Sequence, residues 1–145
     1  MILTGFEFLA EVTALGFACW APRDKSVFCP SADWLRDFGA YLLAHRLPSE
    51  TDSWDCDDYA LQAVSEASIA CRSAGTGTGH TFVYCTVKLW GPLNGVEAPW
   101  GSGHALNLVR LDSGSYVLFE PQNGEFCDAK MQIDTGNANP LNALL

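Results

Sequence analysis

The chain has 145 residues, 48% of them hydrophobic and 12% aromatic, a size that suits one domain with its own core. Eight basic against 17 acidic residues leave a net charge of −9 with no Lys/Arg stripe, which excludes nucleic acid as a partner. No stretch approaches the ~20 apolar residues of a membrane span, and the opening "FEFLAEVTALGFACWA" is broken by Glu7 and Glu11 without a basic run before it. Neither a signal peptide nor a membrane partner is therefore expected. The expected location is cytoplasmic, compatible with a viral or mobile-element origin.

Residues 1–18 read as a helix or mixed segment carrying Phe6, Leu9 and Leu15. "CWAPRDKSVFCP", 19–30, holds two prolines and reads as loop. "SADWLRDFGAYLLAHRL" follows, with Ser31 as N-cap, Trp34, Phe38, Tyr41 and Leu42 at helical spacing, and Pro48 as its end. A second helix is predicted over about 56–73, "CDDYALQAVSEASIACRS", capped by Asp55 with Asp58 three residues on. Its apolar stripe is Ala60, Leu61, Val64, Ala67, Ser68 and Cys71, and "GTGTG" at 75–79 stops it. Three strands are predicted at 80–90, 104–111 and 115–121. The last two, joined by "DSGS", form an antiparallel hairpin. The Gly/Pro-rich stretch 91–103 is long enough to be functional, and the tail 125–145 reads mostly as turn and loop. The expected fold class is α+β: a helical N-terminal part over 1–48, a core over 50–124 whose central helix packs on a small antiparallel sheet, and a loop-rich tail, all in one domain.

Six cysteines stand at 19, 29, 56, 71, 85 and 127, with no CxxC spacing. Cys71 and Cys85 read as buried apolar filler, and Cys19 and Cys29 could pair. Cys56 differs, because it sits in "WDCDDYA" among three carboxylates at a helix start. There the free backbone N–H groups and the helix dipole favour a thiolate. His104 opens the second predicted strand and Glu120 stands near the end of the third. A turn near 112–115 sets residue 104 opposite about 123, a short step from Glu120 and Gln122. A carboxylate placed there can fix the tautomer of an imidazole that takes the thiol proton. His80, also at a strand start, is the rival base. Asp52, Asp55, Asp57 and Asp58 oppose the thiolate. They act either as helix caps or as oxygen ligands of a cation such as calcium. No paired-ligand spacing points to zinc.

"DCDDYAL", "GHALNLV" and "FEPQ" together resemble the papain-like and transglutaminase-like cysteine peptidases over roughly residues 50–124. Two branches are closest in pattern: the bacterial transglutaminase-like cysteine proteinases and the protease domain of the Marasmius oreades agglutinin type. The resemblance implies Cys56 as nucleophile, His104 as base and Glu120 as orienting acid. It also implies Gln122 as an oxyanion donor, since position 50 is Glu50 where papain-type enzymes carry a Gln. Trp54 and Trp100 would wall the cleft, with Asp57 beside it. Calcium dependence is implied by the agglutinin branch alone; the triad itself needs no cofactor. The expected function is peptide- or amide-bond hydrolysis through a thioester, with a peptide or protein substrate. Transglutaminase- or deamidase-type acyl transfer uses the same machinery. A non-catalytic binding or inhibitory module on the same scaffold, and a disulfide-stapled secreted domain, are the alternatives.

Overall fold

A computed structural model describes residues 1–22, 24–45, 55–97, 99 and 101–145, and within them the chain forms two sheets and four helices in an α+β arrangement. The first elements are strand β1 (Ile2–Thr4) and helix α1 (Gly5–Ala14). Thr4 starts the helix through a reciprocal capping box with Glu7. Strand β2 (Ala18–Cys19) then straddles the start of the stretch read as loop, and β3 (Ser26–Phe28) falls inside it. Pro22 and Pro30 flank β3 rather than interrupt it, so its buried Val27 pairs antiparallel with β1. The same strand runs parallel to β4 (Gly79–His80), completing a three-stranded sheet.

Helix α2 (Ala32–His45) begins as expected, with the Trp34 amide donating to Ser31 Oγ at 3.0 Å. Its predicted end at Pro48 lies outside the described residues. Helix α3 runs Cys56–Ser73, and Asp58 accepts from the Asp55 amide at 3.2 Å. Its buried stripe is Tyr59, Ala60, Ala63, Ala67 and Cys71, whereas Leu61 and Ser68 face solvent. The burial is turned one position from the expected stripe. The three alanines lie innermost, where their small side chains let α3 approach the sheet closely.

That sheet has six strands in the order β2-β9-β5-β6-β7-β8, formed by β5 (Phe82–Leu89), β6 (Ser102–Arg110), β7 (Tyr116–Phe119), β8 (Phe126–Asp128) and β9 (Ala138–Leu144). All pairs are antiparallel except β2 with β9. The sheet is thus larger than expected and mixed. The tail is not loop: it carries β8, helix α4 (Ala129–Asp134) and β9. Pro140 masks β9 in the sequence, since proline supplies no ladder N–H. The register slips between Cys85 and Val87, and the Asn142 amide donates instead to Thr86 Oγ1 at 3.2 Å.

The sheet is buried on both faces. Phe8 and Val12 of α1 pack with Val87, Leu106 and Leu108 on one side. Leu35 and Phe38 of α2 and Ala63 and Ala67 of α3 cover Phe82, Val109 and Phe119 on the other. No helix among the described residues is long and apolar enough to cross a membrane.

Two contacts fix the loop and helix that carry the polar residues of interest. Gly124 holds φ at +76°, and a Cβ on it would meet Gly39 backbone at 3.3 Å. Helix α2 therefore rests directly on the turn after β7. Gly124→Ala is expected to lower stability by about 1–2 kcal/mol in chemical denaturation, from left-handed backbone strain and crowding together. A loss below a few tenths of a kcal/mol would show that the turn gives way freely. Asn107 makes the second contact. Fully buried in β6, it donates through Nδ2 to the Ala60 carbonyl of α3 at 2.9 Å and to the Val83 carbonyl at 3.3 Å. Its Oδ1 is one of two buried side-chain oxygens or nitrogens without a partner among the described residues.

Candidate functional site

Cys56 is the first residue of α3, half-buried, and its sulfur accepts hydrogen bonds from the His104 ring and the Ala105 backbone N–H. His104 Nε2 donates to Glu120 Oε2 at 2.6 Å, and both side chains are buried, 6% and 1% exposed. Nδ1 is therefore the ring nitrogen turned to the thiol. The second carboxylate oxygen of Glu120 accepts from the Gln122 amide at 3.1 Å, which leaves the carboxylate little freedom to rotate. The hairpin register, Asn107 opposite Phe119, would place His104 across from Gln122 if pairing continued. Pairing stops at Phe119, one residue before Glu120.

Cys56 and His104 shift in opposite directions, the thiol down and the imidazole up. The hydrogen bond from His104 is the largest influence on the Cys56 thiol and carries it below its usual range, against burial and the nearby Asp55. Burial alone would lower His104. Its hydrogen bonds to Cys56 and Glu120 overcome that and raise it to about 9. The arrangement thus favours ionisation of the sulfur and holds a proton on the imidazole beside it. Breaking contact between α3 and β6 would separate them, and Asn107 ties those two elements three residues along from His104. Sequence reading passed over Asn107, although an amide inside the apolar run "HALNLVRL" is the signal that could have singled it out.

Tyr84 on β5 was likewise missed. Burial raises its phenol first, and the charges of Asp57 and Cys56 raise it further, which puts it within electrostatic reach of the thiol. A groove of about 260 Å³ runs past it, walled by Leu61, Val64, Phe82, Tyr84 and Leu144.

The remaining expected residues divide three ways. His80 is no rival base at this thiol. Its Nδ1 accepts from the Phe82 amide at 3.2 Å and its Nε2 faces Ser68 Oγ at 2.8 Å, so both nitrogens are occupied elsewhere. Asp52, Trp54 and Trp100, with Glu50, lie outside the described residues. Asp55 and Asp57 stand beside Cys56 with donor atoms of all three within 4.8 Å of one another. The Asp55 carboxyl is raised, chiefly by its hydrogen bond to Asp57. Asp58 turns back to cap the Asp55 amide. Asp55 and Asp57 thus offer two carboxylates and Cys56 a sulfur, where calcium takes 6–8 oxygens. All six cysteines are free thiols, so Cys19 and Cys29 are not paired and no disulfide framework forms.

No protein-family model matches the chain, and no curated protein matches it. Solved structures do. The "PSL1a-E64 complex" superposes with a TM-score of 0.70 at 15% identity, over 99% of this chain and 50% of that one. Polyporus squamosus lectin bound to the human-type influenza-binding epitope Neu5Aca2-6Galb1-4GlcNAc gives a TM-score of 0.65 at 16% identity, over 99% and 49%. The chain thus spans about half the length of these lectin chains, and at such identity the likeness establishes a shared fold.

This corrects the expectation from local motifs. The structural neighbours are the PSL1a-E64 complex and a Polyporus squamosus lectin, and neither family nor sequence matching places the chain among the papain-like or transglutaminase-like cysteine peptidases. Membership of that family, peptide-bond hydrolysis, the enzyme class and the peptide substrate are withdrawn with it. The three short motifs record chemistry at one corner of the molecule. The likeness that overturns the reading runs through nearly every residue.

Proposed function

We propose that the chain is a glycan-binding module that seats its ligand beside Cys56, His104 and Glu120, in the groove passing Tyr84. The observation that carries this reading is the buried His104–Glu120 pair ending in a half-buried sulfur that the His104 hydrogen bond makes more acidic. Burying such charges costs free energy that the fold has no need to spend, and clusters of this kind concentrate where ligands bind. The surroundings suit a sugar. Asp55 and Asp57 accept from hydroxyls, the Tyr84 phenol both donates and accepts, and Leu61 and Val64 offer apolar wall to a C–H face. A binding role accords with the lectin neighbours. The two carboxylates and the net charge of −9 favour neutral over sialylated sugars.

NMR titration with Galβ1-4GlcNAc and with its sialylated form tests this. Saturable shifts are expected at the amides of Cys56, Asp57, Tyr84 and Ala105, stronger for the neutral sugar. Asp57→Asn and Tyr84→Phe should each weaken binding by about fivefold, the loss of one hydrogen bond. Bound sugar should also slow iodoacetamide at Cys56. Shifts confined to another surface, no binding of either sugar, or Cys56-dependent turnover of peptides would overturn the reading.

A further inference from the structure

A second groove lies between α2 and α3, on residues the glycan reading does not use. It encloses about 350 Å³, within the size range of small-molecule sites. Its floor is a ladder of rings along one face of α2: Trp34 stacks on Phe38 at 4.9 Å, and Phe38 on Tyr41 at 6.4 Å. The opposite wall is Ile69 and Ala70 of α3. Ile69 and Tyr41 are 60% and 44% exposed, so the molecule leaves apolar surface open here. Two carboxylates, Asp37 and Glu66, stand at the rim, and the Tyr41 hydroxyl donates to Glu66 Oε2 at 3.4 Å. Among the described residues no lysine or arginine lines the groove, and neither carboxylate forms an ion pair.

We propose that this groove binds an alkylammonium group, a cation on a short apolar chain. The chemistry is complementary in both parts. The carboxylates neutralise the cation, and the aromatic ladder with the facing Ile69 and Ala70 takes the apolar chain. A neutral alkyl ligand would satisfy only the walls, and an anion would be repelled by both carboxylates. Arg36, the one arginine within α2, is already engaged: it pairs with Asp33 and lies over the Phe126 ring at 5.8 Å. The groove's own charge is therefore left for a ligand.

The test is a ¹⁵N–¹H NMR titration of the whole chain with hexyltrimethylammonium, with hexanol as neutral control. Saturable shifts are expected at the amides of Trp34, Asp37, Tyr41, Glu66 and Ile69. Hexanol, and the D37N/E66Q double variant with the cation, should each bind about tenfold more weakly. A lysine tripeptide distinguishes the source: tighter binding than the free cation points to a protein side chain, weaker binding to a small molecule, and either upholds the ammonium chemistry. Equal affinity for hexanol, affinity unchanged in the double variant, or no saturable shift at these amides would overturn the proposal. Both substitutions remove charges at the groove rim, and the folding of the double variant is checked by the same spectra. The glycan site shares none of these residues, so failure of one reading leaves the other standing.

Discussion

His104→Ala is expected to slow alkylation of Cys56 by iodoacetamide by about tenfold near pH 6.5. In the wild type the hydrogen bond from His104 lowers the Cys56 thiol below its ordinary range. Without it an ordinary thiol is only about 1% thiolate at that pH. The loss of thiolate is partly offset because a more basic thiolate is more nucleophilic. Alanine also leaves Glu120 buried without its partner, so His104→Gln is the companion variant. Its amide can still donate to Glu120 while carrying no charge. Both variants should slow labelling, read by peptide mass spectrometry across pH, and both should steepen the rate's rise between neutral pH and 9. Labelling that stays fast in His104→Gln would show that the helix terminus and the Ala105 amide suffice to hold the thiolate.

Glu120→Ala is expected to lower stability by about 3 kcal/mol at neutral pH, because it strands one partner of a buried pair. The size of the loss should depend on pH in a definite sense. His104 titrates at about 9 in the folded chain, above its ordinary value of 6.5. A raised histidine contributes stability that is complete below the unfolded value and is lost as pH rises through the folded one. The gap between wild type and Glu120→Ala should therefore be widest near pH 6.5 and shrink toward pH 9. Denaturant titrations at several pH values measure it. A loss of the same size at every pH would assign Glu120 a packing role and remove the ion pair from the account.

The parts of the fold that the sequence revealed are those whose signals are local. Helix α3 carries its own cap, its small-residue stripe and its glycine stop within twenty-odd residues, and its limits follow from them. The β6–β7 hairpin was equally legible from two apolar runs around "DSGS". Strands β3 and β9 were not, because three and seven residues beside prolines say little by themselves. They are strands because partners distant in the chain supply the ladder. The meeting of Cys56, His104 and Glu120 could be anticipated from their order on these elements. Which ring nitrogen faces which neighbour, the Gln122 amide on Glu120 and the Asn107 link to Ala60 could not, since each depends on side-chain direction. The motifs misled on family for a related reason. A Cys, a His and an acid brought together by a helix and a hairpin fix a local chemistry, and that chemistry does not name the fold that carries it.

Strand β9 has a consequence for how the protein is made. It fills the position between β2, from the first twenty residues, and β5, from the middle of the chain. During synthesis one edge of β5 must wait, unpaired, until residues 138–144 have left the ribosome. Val83, Cys85, Val87 and Leu89, all buried in the finished protein, belong to that waiting strand. An open apolar edge is a template for other chains. The nascent chain is thus prone to aggregate from the moment β5 emerges until β9 does, and a chaperone that covers β5 over that interval should raise its yield more than one that engages α1.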